Sequence, residues 1–346
     1  MKPLHKPSKN QRPVTMRDVA LLAGVSQSTV SRVLSEADST ITISEETYKR
    51  VRDAVEQLGY YPNITARSLR QQKTQLIAIM IADISNPFYH SIVRAVQDVA
   101  RSHNYDVLIA NTDHIYENER HFCQAMMRRP VDGIIMVPYH QTAESIDMLI
   151  QRTGAEVVVL GQHIFHPTVD IFHADDELAT YETVEWLIRD KHHERIGFIG
   201  VPDTKPSERR LIGYSHALEN AGITVVSSLI EMGDWTVESG KNAMVRMLAL
   251  PKRPTAVFAC NDHMAIGALN TVIDSGLRVP EDVAIVGFDN IPATTLVRPR
   301  LTTIAQHPIE MGQQLAEALF ERIEGRYSGI RRVFRGDLTL IEREST

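Results

Sequence analysis

From Leu76 onward the chain alternates short, unbroken apolar runs with longer stretches of helical periodicity, and few folds accept that pattern. LIAIMIAD (76–83), DVLIANT (106–112), DGIIMVP (132–138) and EVVVLG (156–161) form one series. RIGFIG (195–200), SLIEMG (228–233), TAVFAC (255–260) and DVAIVGFD (282–289) form a second. A run that is apolar at every position must be covered on both faces, which is the condition of a strand inside a parallel sheet. Helical stretches such as the one over 88–103 separate the runs and supply that cover. Two series of βα units predict two doubly wound lobes. In such sheets ligands bind outside the carboxyl ends of the strands, here in a cleft between the lobes.

A different pattern precedes them. Thr15 to Leu34, TMRDVALLAGVSQSTVSRVL, reads as two short helices joined by a tight turn. Thr15 is a good N-cap with Asp18 in a capping-box position, and Gly24 stands where a left-handed residue must end the first helix. Val19, Ala20 and Ala23 give that helix an apolar face. Ser26 caps a second helix whose inward residues are Val30, Val33 and Leu34. Its outward face carries Gln27, Ser28, Thr29 and Arg32, the side-chain types that read base edges in a major groove. A plain helical hairpin with a polar face is the alternative. A third helix opens at Ser44, carries Glu45 and Glu46 in its first turn and ends at Gly59. Its apolar positions Tyr48, Val51, Val55 and Leu58 can close one small core over the first two helices.

Charge divides the same way. Residues 1–75 hold twelve Lys/Arg against seven Asp/Glu, whereas the rest hold 25 against 36, although the whole chain is at −6. The N-terminal part is therefore the part suited to a polyanion. Residues 1–13, with Lys2, Lys6, Lys9, Arg12 and three prolines, read as a disordered basic arm. Cys123 and Cys260 are too few for a disulfide framework or a CxxC metal site, so a reducing compartment is expected. No apolar run reaches membrane-spanning length, and no apolar export core is present near residue 1. At 346 residues the chain suits a small domain plus two larger lobes.

Polar residues just past the strand ends are the candidate ligand groups: Asp83, Asn86, Pro87 and Phe88 after the first run, Arg210 in RRLIGY, Trp235 in GDW, Asn261 after TAVFAC and Asp289 after AIVGF. Carboxylates, Asn and Arg take hydroxyl pairs and an aromatic ring covers the apolar face of a sugar, so the set is that of a sugar pocket. Asp262 reads as the cap of the helix DHMAIGAL, Arg209 as solvated, and Trp235 could instead pack at a hinge. An enzyme would need a phosphate loop, a nucleophile elbow or HExxH, and none is present. His163 with His166, and His192 with His193, lack supporting ligands and read as surface loops, so neither a metal nor a cofactor is expected.

VTMRDVALLAGVSQSTVSRVLS followed by YYPNITARSL resembles the headpiece and hinge of the LacI/GalR family of bacterial transcriptional regulators, and the likeness runs from about Val14 to about Glu342. It implies a helix-turn-helix DNA-binding domain (14–61), a hinge helix and linker (62–75), and a periplasmic-binding-protein-like core (76–346) for effector binding and dimerisation. The lobes would comprise 76–173 with 305–332, and 174–304 with 333–346, the chain crossing near His173, Ile304 and Arg332. It implies major-groove contacts from Ser26, Gln27, Ser28, Thr29 and Arg32. Asn63, Ala66, Arg67 and Leu69 would form a minor-groove hinge, with Leu69 as the wedge; an apolar wedge flanked by Arg67 and Arg70 suits a kinked groove by chemistry alone. Asp83, Asn86, Phe88, Arg210, Trp235, Asn261 and Asp289 would contact the effector.

The expected protein is a cytoplasmic, nucleoid-associated homodimeric repressor, with a roughly palindromic operator and a sugar effector as partners. A purine or sugar phosphate is the alternative effector; a sugar-binding protein or an enzyme on the same lobes is a remote one. After VFRGDLTLIE (333–342), read as one last strand, no leucine heptads follow to make a tetramer. Leu69→Ala should weaken binding to the operator and largely spare binding to random DNA. Equal losses on both, in a salt-matched titration, would refute the wedge.

Overall fold

A computed structural model describes residues 12, 14–35, 43–61 and 73–346. Asn63, Ala66, Arg67 and Leu69, and all but Arg12 of the 1–13 arm, lie outside the described residues. The chain divides into two compact units at Thr74–Gln75.

The first unit contains α1 (Met16–Ala23), α2 (Gln27–Ser35) and α3 (Glu45–Leu58). Thr15 donates its backbone N–H and its hydroxyl to the Asp18 carboxylate at 2.9 and 2.7 Å, which fixes where α1 starts. Those bonds, with Arg12 at 2.9 Å, hold the Asp18 carboxyl below its ordinary pKa. Gly24 (φ +64°) ends α1, and the Val25 N–H returns to the Ala20 carbonyl at 3.0 Å. Ser44 caps α3 through the Thr47 N–H, and Gly59 (φ +59°) ends it. Val19, Ala20, Ala23, Val30, Val33, Val51 and Ala54 make the small core, closed by Tyr60. Ala54, three residues after Val51 on the same face of α3, was not among the expected core positions. Periodicity put Tyr48, Val55 and Leu58 in the core, where they flank it half-buried.

The second unit holds two six-stranded sheets. Lobe 1 is built from β1 (Leu76–Ile81), β2 (Asp106–Asn111), β3 (Gly133–Met136), β4 (Glu156–Leu160), β5 (Asp170–Ala174) and β11 (Val333–Gly336). All pair in parallel, in the order β11-β5-β4-β3-β1-β2. Its helices are α4 (Pro87–Ser102), α5 (Tyr116–Met126), α6 (Ala143–Thr153) and α11 (Pro308–Ile323). Lobe 2 is built from β6 (Ile196–Gly200), β7 (Ile230–Met232), β8 (Ala256–Ala259), β9 (Ala284–Asp289), β10 (Thr302–Ala305) and β12 (Thr339–Ile341), in the order β12-β10-β9-β8-β6-β7. Only β12 runs antiparallel. Its helices are α7 (Asp176–Arg189), α8 (Lys205–Asn220), α9 (Val237–Leu248) and α10 (Asp262–Asp274).

The chain therefore crosses between sheets at Asp175, at Gln306–His307 and at Asp337–Leu338. The third crossing corrects the boundary expected near Arg332: VFRGDLTLIE is two strands in two sheets, β11 beside β5 and β12 beside β10. An apolar-alternating run gives no sign of which neighbour each half will pair with. Buried Asp170 anchors the returning segment, taking Arg322 of α11 at 2.6 Å and Arg332 at 2.7 Å. These bonds outweigh burial and keep its carboxyl pKa low.

Helices α9 and α10 touch backbone to backbone at Gly240 and Gly267. A Cβ at Gly240 would lie 2.1 Å from the Met264 carbonyl oxygen, and one at Gly267 2.0 Å from that of Val237. Gly240→Ala gains about 1 kcal/mol of helix propensity but must push two helices apart. We expect a net loss of roughly 1–3 kcal/mol, read from the urea midpoint of the core.

Candidate functional site

The exposed face of α2 is built from short hydroxyls and an amide. The Ser26 hydroxyl accepts the Thr29 N–H at 3.1 Å and lies 2.7 Å from the Ser28 and 2.9 Å from the Thr29 hydroxyl. Gln27, Ser28 and Arg32 are exposed and Thr29 is half-buried, while Val30 and Val33 point into the core. The cap thus pre-orders the first turn, the turn a recognition helix presents to bases.

In the second unit the carboxyl ends of both sheets enclose a cavity of about 850 Å³, its mouth included. Its polar floor is one connected set. Asp176, the first residue of α7, accepts Arg210 Nη2 at 2.8 Å and Arg209 Nη2 at 2.6 Å. Arg210 is buried, also donates to the Cys260 carbonyl, and lies 3.5 Å above the Phe288 ring. Asp289 closes β9 with φ +115° and accepts Gln306 Nε2 at 2.6 Å. Burial lifts its carboxyl to about 7, although Arg210 and Gln306 pull the other way. The aromatic wall holds Phe88, Trp235, Tyr89 and Tyr139; the last two pair hydroxyl to hydroxyl at 3.1 Å. Burial raises both phenols, Tyr139 to about 12. His114 of lobe 1 stacks on Trp235 of lobe 2, centroids 6.1 Å apart at 19°.

Residues 15–63 match the bacterial regulatory proteins of the lacI family, and residues 187–346 match a periplasmic binding protein-like domain. The HTH-type transcriptional repressor CytR of Escherichia coli K12 is 36% identical over 331 residues, 94% of each chain. The chain belongs to the LacI family.

Among solved structures, a Lac repressor dimer bound to operator and the anti-inducer ONPF superposes with a TM-score of 0.83 at 26% identity, covering 96% of this chain and 99% of that one. The regulator CelR in complex with cellobiose gives 0.70 at 30%, covering 97% and 100%. As a LacI-family member the chain is a DNA-binding transcriptional regulator with an effector-binding core. No helix among the described residues is long and apolar enough to cross a membrane.

Of the expected effector residues of this family member, Asn86, Phe88, Arg210, Trp235 and Asp289 line the cavity. Asp83 and Asn261 do not. Asp83 folds back on its own turn, accepting the Ser85 N–H at 2.8 Å and hydroxyl at 2.7 Å. Asn261 caps α10 through the Met264 N–H and donates to the Trp235 carbonyl, each at 2.9 Å, so it holds Trp235 in its left-handed conformation (φ +72°). It takes the cap expected of Asp262, which instead accepts the Ile291 N–H at 2.8 Å and the Thr303 hydroxyl at 2.6 Å. Burial raises the Asp262 carboxyl strongly, and the nearby Asp289 adds to it. Arg209, expected in solvent, lines the cavity, and so does His163.

His114, Tyr139, His163, Asp176 and Gln306 were missed, yet they follow β2, β3, β4, β5 and β10. The strand-end rule would have found them had it been applied to every strand.

Between pH 4 and 7 the folded protein holds a proton on Asp289 that the unfolded chain has released. Stability contributed by this group therefore falls as pH rises through that window. Asp289→Asn should flatten that limb of the pH–stability curve, measured by chemical denaturation; an unchanged limb would assign it to other groups such as Asp262.

Proposed function

We propose that this regulator is a homodimeric repressor whose grip on a roughly palindromic operator is set by a sugar bound between the lobes. The observation that carries the sugar reading is the pairing, in one cavity, of the Asp289–Gln306 and Asp176–Arg209–Arg210 sets with Phe88, Tyr139 and Trp235. Polar groups take ring hydroxyls and aromatic groups cover the apolar faces of the ring. The likeness to a regulator complexed with cellobiose supports it. Lys205 and Arg209 on the same wall favour a sugar phosphate as the second reading.

The site of action is the nucleoid in the bacterial cytoplasm. Two α2 helices, one per subunit, enter successive major grooves about 34–36 Å apart. Ser26, Gln27, Ser28, Thr29 and Arg32 make the direct contacts, and Asn63, Ala66, Arg67 and Leu69 follow the minor groove between them. The sugar changes the closure of the lobes, and its effect on DNA affinity equals its preference for one closure over the other.

Selection of binding sites from random duplexes with the full chain should return inverted repeats with half-sites one helical turn apart. On a selected site Gln27→Ala should cost about 1–3 kcal/mol, with random-DNA binding unchanged. Selected sites without two-fold symmetry would sink the dimer reading.

A further inference from the structure

The β11 edge of lobe 1 carries a run of exposed apolar side chains. Ile330 is 80% exposed, Phe165 76%, Met148 56% and Val333 49%. Single exposed apolar residues are ordinary, but a contiguous group of them marks an interaction surface. The Arg331 N–H bonds the Pro167 carbonyl at 2.7 Å, and its guanidinium lies 4.7 Å over the Phe165 ring. The segment carrying Ile330 therefore runs along the loop carrying Phe165. His166 in that loop reaches Asp147 at 3.3 Å, which sets it against α6 beside Met148. Val333 continues the surface onto β11, where it pairs with Ile171.

Strand β11 has a neighbour on one side only. Arg332 turns both backbone groups inward, its N–H to Asp170 at 2.8 Å and its carbonyl to the Ile171 N–H at 3.0 Å. Successive residues of a strand alternate in direction, so Phe334 also faces β5, while Val333 and Arg335 aim their N–H and C=O groups away from the sheet. Those four groups make the kind of unpaired ladder that accepts an added strand.

Charge selects the occupant. Residues 326–335, RYSGIRRVFR, hold four arginines and no acid, although residues 76–346 as a whole hold 36 Asp/Glu against 25 Lys/Arg. Arg332 is paired with Asp170 and Glu321, and Arg326 with Glu324. Arg331 and Arg335 have no carboxylate partner among the described residues. A second copy of β11 laid along this edge would set arginine against arginine, which is destabilising across a strand pair.

We propose that the β11 edge docks an extended acidic segment of another protein, which adds to the sheet as a strand. Its backbone bonds Val333 and Arg335, its carboxylates meet Arg331 and Arg335, and its apolar side chains cover Phe165, Ile330 and Val333. In this mode the backbone bonds give affinity and the flanking side chains give specificity.

The test is selection of linear eight-residue peptides from a displayed library on the full chain. Selected peptides are then titrated by fluorescence anisotropy and mapped by hydrogen exchange. Their sequences should alternate Asp or Glu with Val, Ile or aromatic residues. Binding should slow amide exchange over 330–336 and weaken with added salt. Arg331→Glu and Arg335→Glu should each raise Kd roughly 5- to 30-fold. Val333→Pro removes an N–H that β5 does not use, so it should weaken binding over the same range and leave the melting temperature close to wild type. Arg335 is exposed, so its variant keeps the test valid where Val333→Pro unfolds the sheet. Failure to enrich acidic peptides, protection away from β11, or equal binding to wild type and Arg335→Glu overturns the assignment. So does a change of molecular mass in either arginine variant, read by light scattering, which would give the edge to a second copy.

Discussion

The cleft depends on one buried carboxylate, Asp176, that holds two arginines at once. Taking charges out of water costs several kcal/mol per ion, and geometry as complete as this is what offsets it. Arg210 spends its donors on Asp176 and the Cys260 carbonyl, and its flat face rests on Phe288. The network ties the start of α7, the first turns of α8 and the ends of β8 and β9 into one rigid floor. Asp176 also follows the first crossing between the lobes by one residue. The cavity floor and the first crossing are thus the same stretch of chain.

The second crossing repeats the arrangement. Gln306, in the segment joining β10 to α11, donates to Asp289. Asp289 (φ +115°) and Asn290 (φ +59°) sit in backbone conformations that cost energy for residues with side chains. Asp262 keeps that turn in place through the Ile291 N–H, and Asn261 does the same for the left-handed Trp235. Strain at the cleft is therefore held by groups just behind it. Burial of Asp289, which lifts its carboxyl despite Arg210 and Gln306, belongs to the same strained corner of the cleft.

The headpiece follows a simpler logic. Its helices are capped by their own sequence, with Asp18 on Thr15, the Ser26 hydroxyl on Thr29, Ser44 on Thr47, and glycines at both left-handed ends. Some eight buried side chains are a small core, so local capping carries a larger share of its stability than in the lobes. On the outer face of α2, Gln27, Ser28 and Arg32 are exposed.

Sequence alone determined whatever is set by neighbours along the chain. Capping residues and glycines placed the three headpiece helices, and runs such as LIAIMIAD and TAVFAC declared parallel strands, because both depend on local backbone geometry and on burial from two sides. Phe88, Arg210, Trp235 and Asp289 were legible as cleft residues because strand ends in such sheets face the ligand. Tertiary structure decided what depends on partners distant in sequence. VFRGDLTLIE divides between two sheets because β5 and β10 stand on different lobes. Asn261, not Asp262, caps α10, since Asp262 is drawn to Ile291 and Thr303 across the sheet. Arg209 leaves solvent because Asp176, thirty-three residues earlier, has room for a second guanidinium. Asp289 acquires its raised pKa only when the fold removes water from it, and desolvation is a property of the enclosing structure that no stretch of sequence contains.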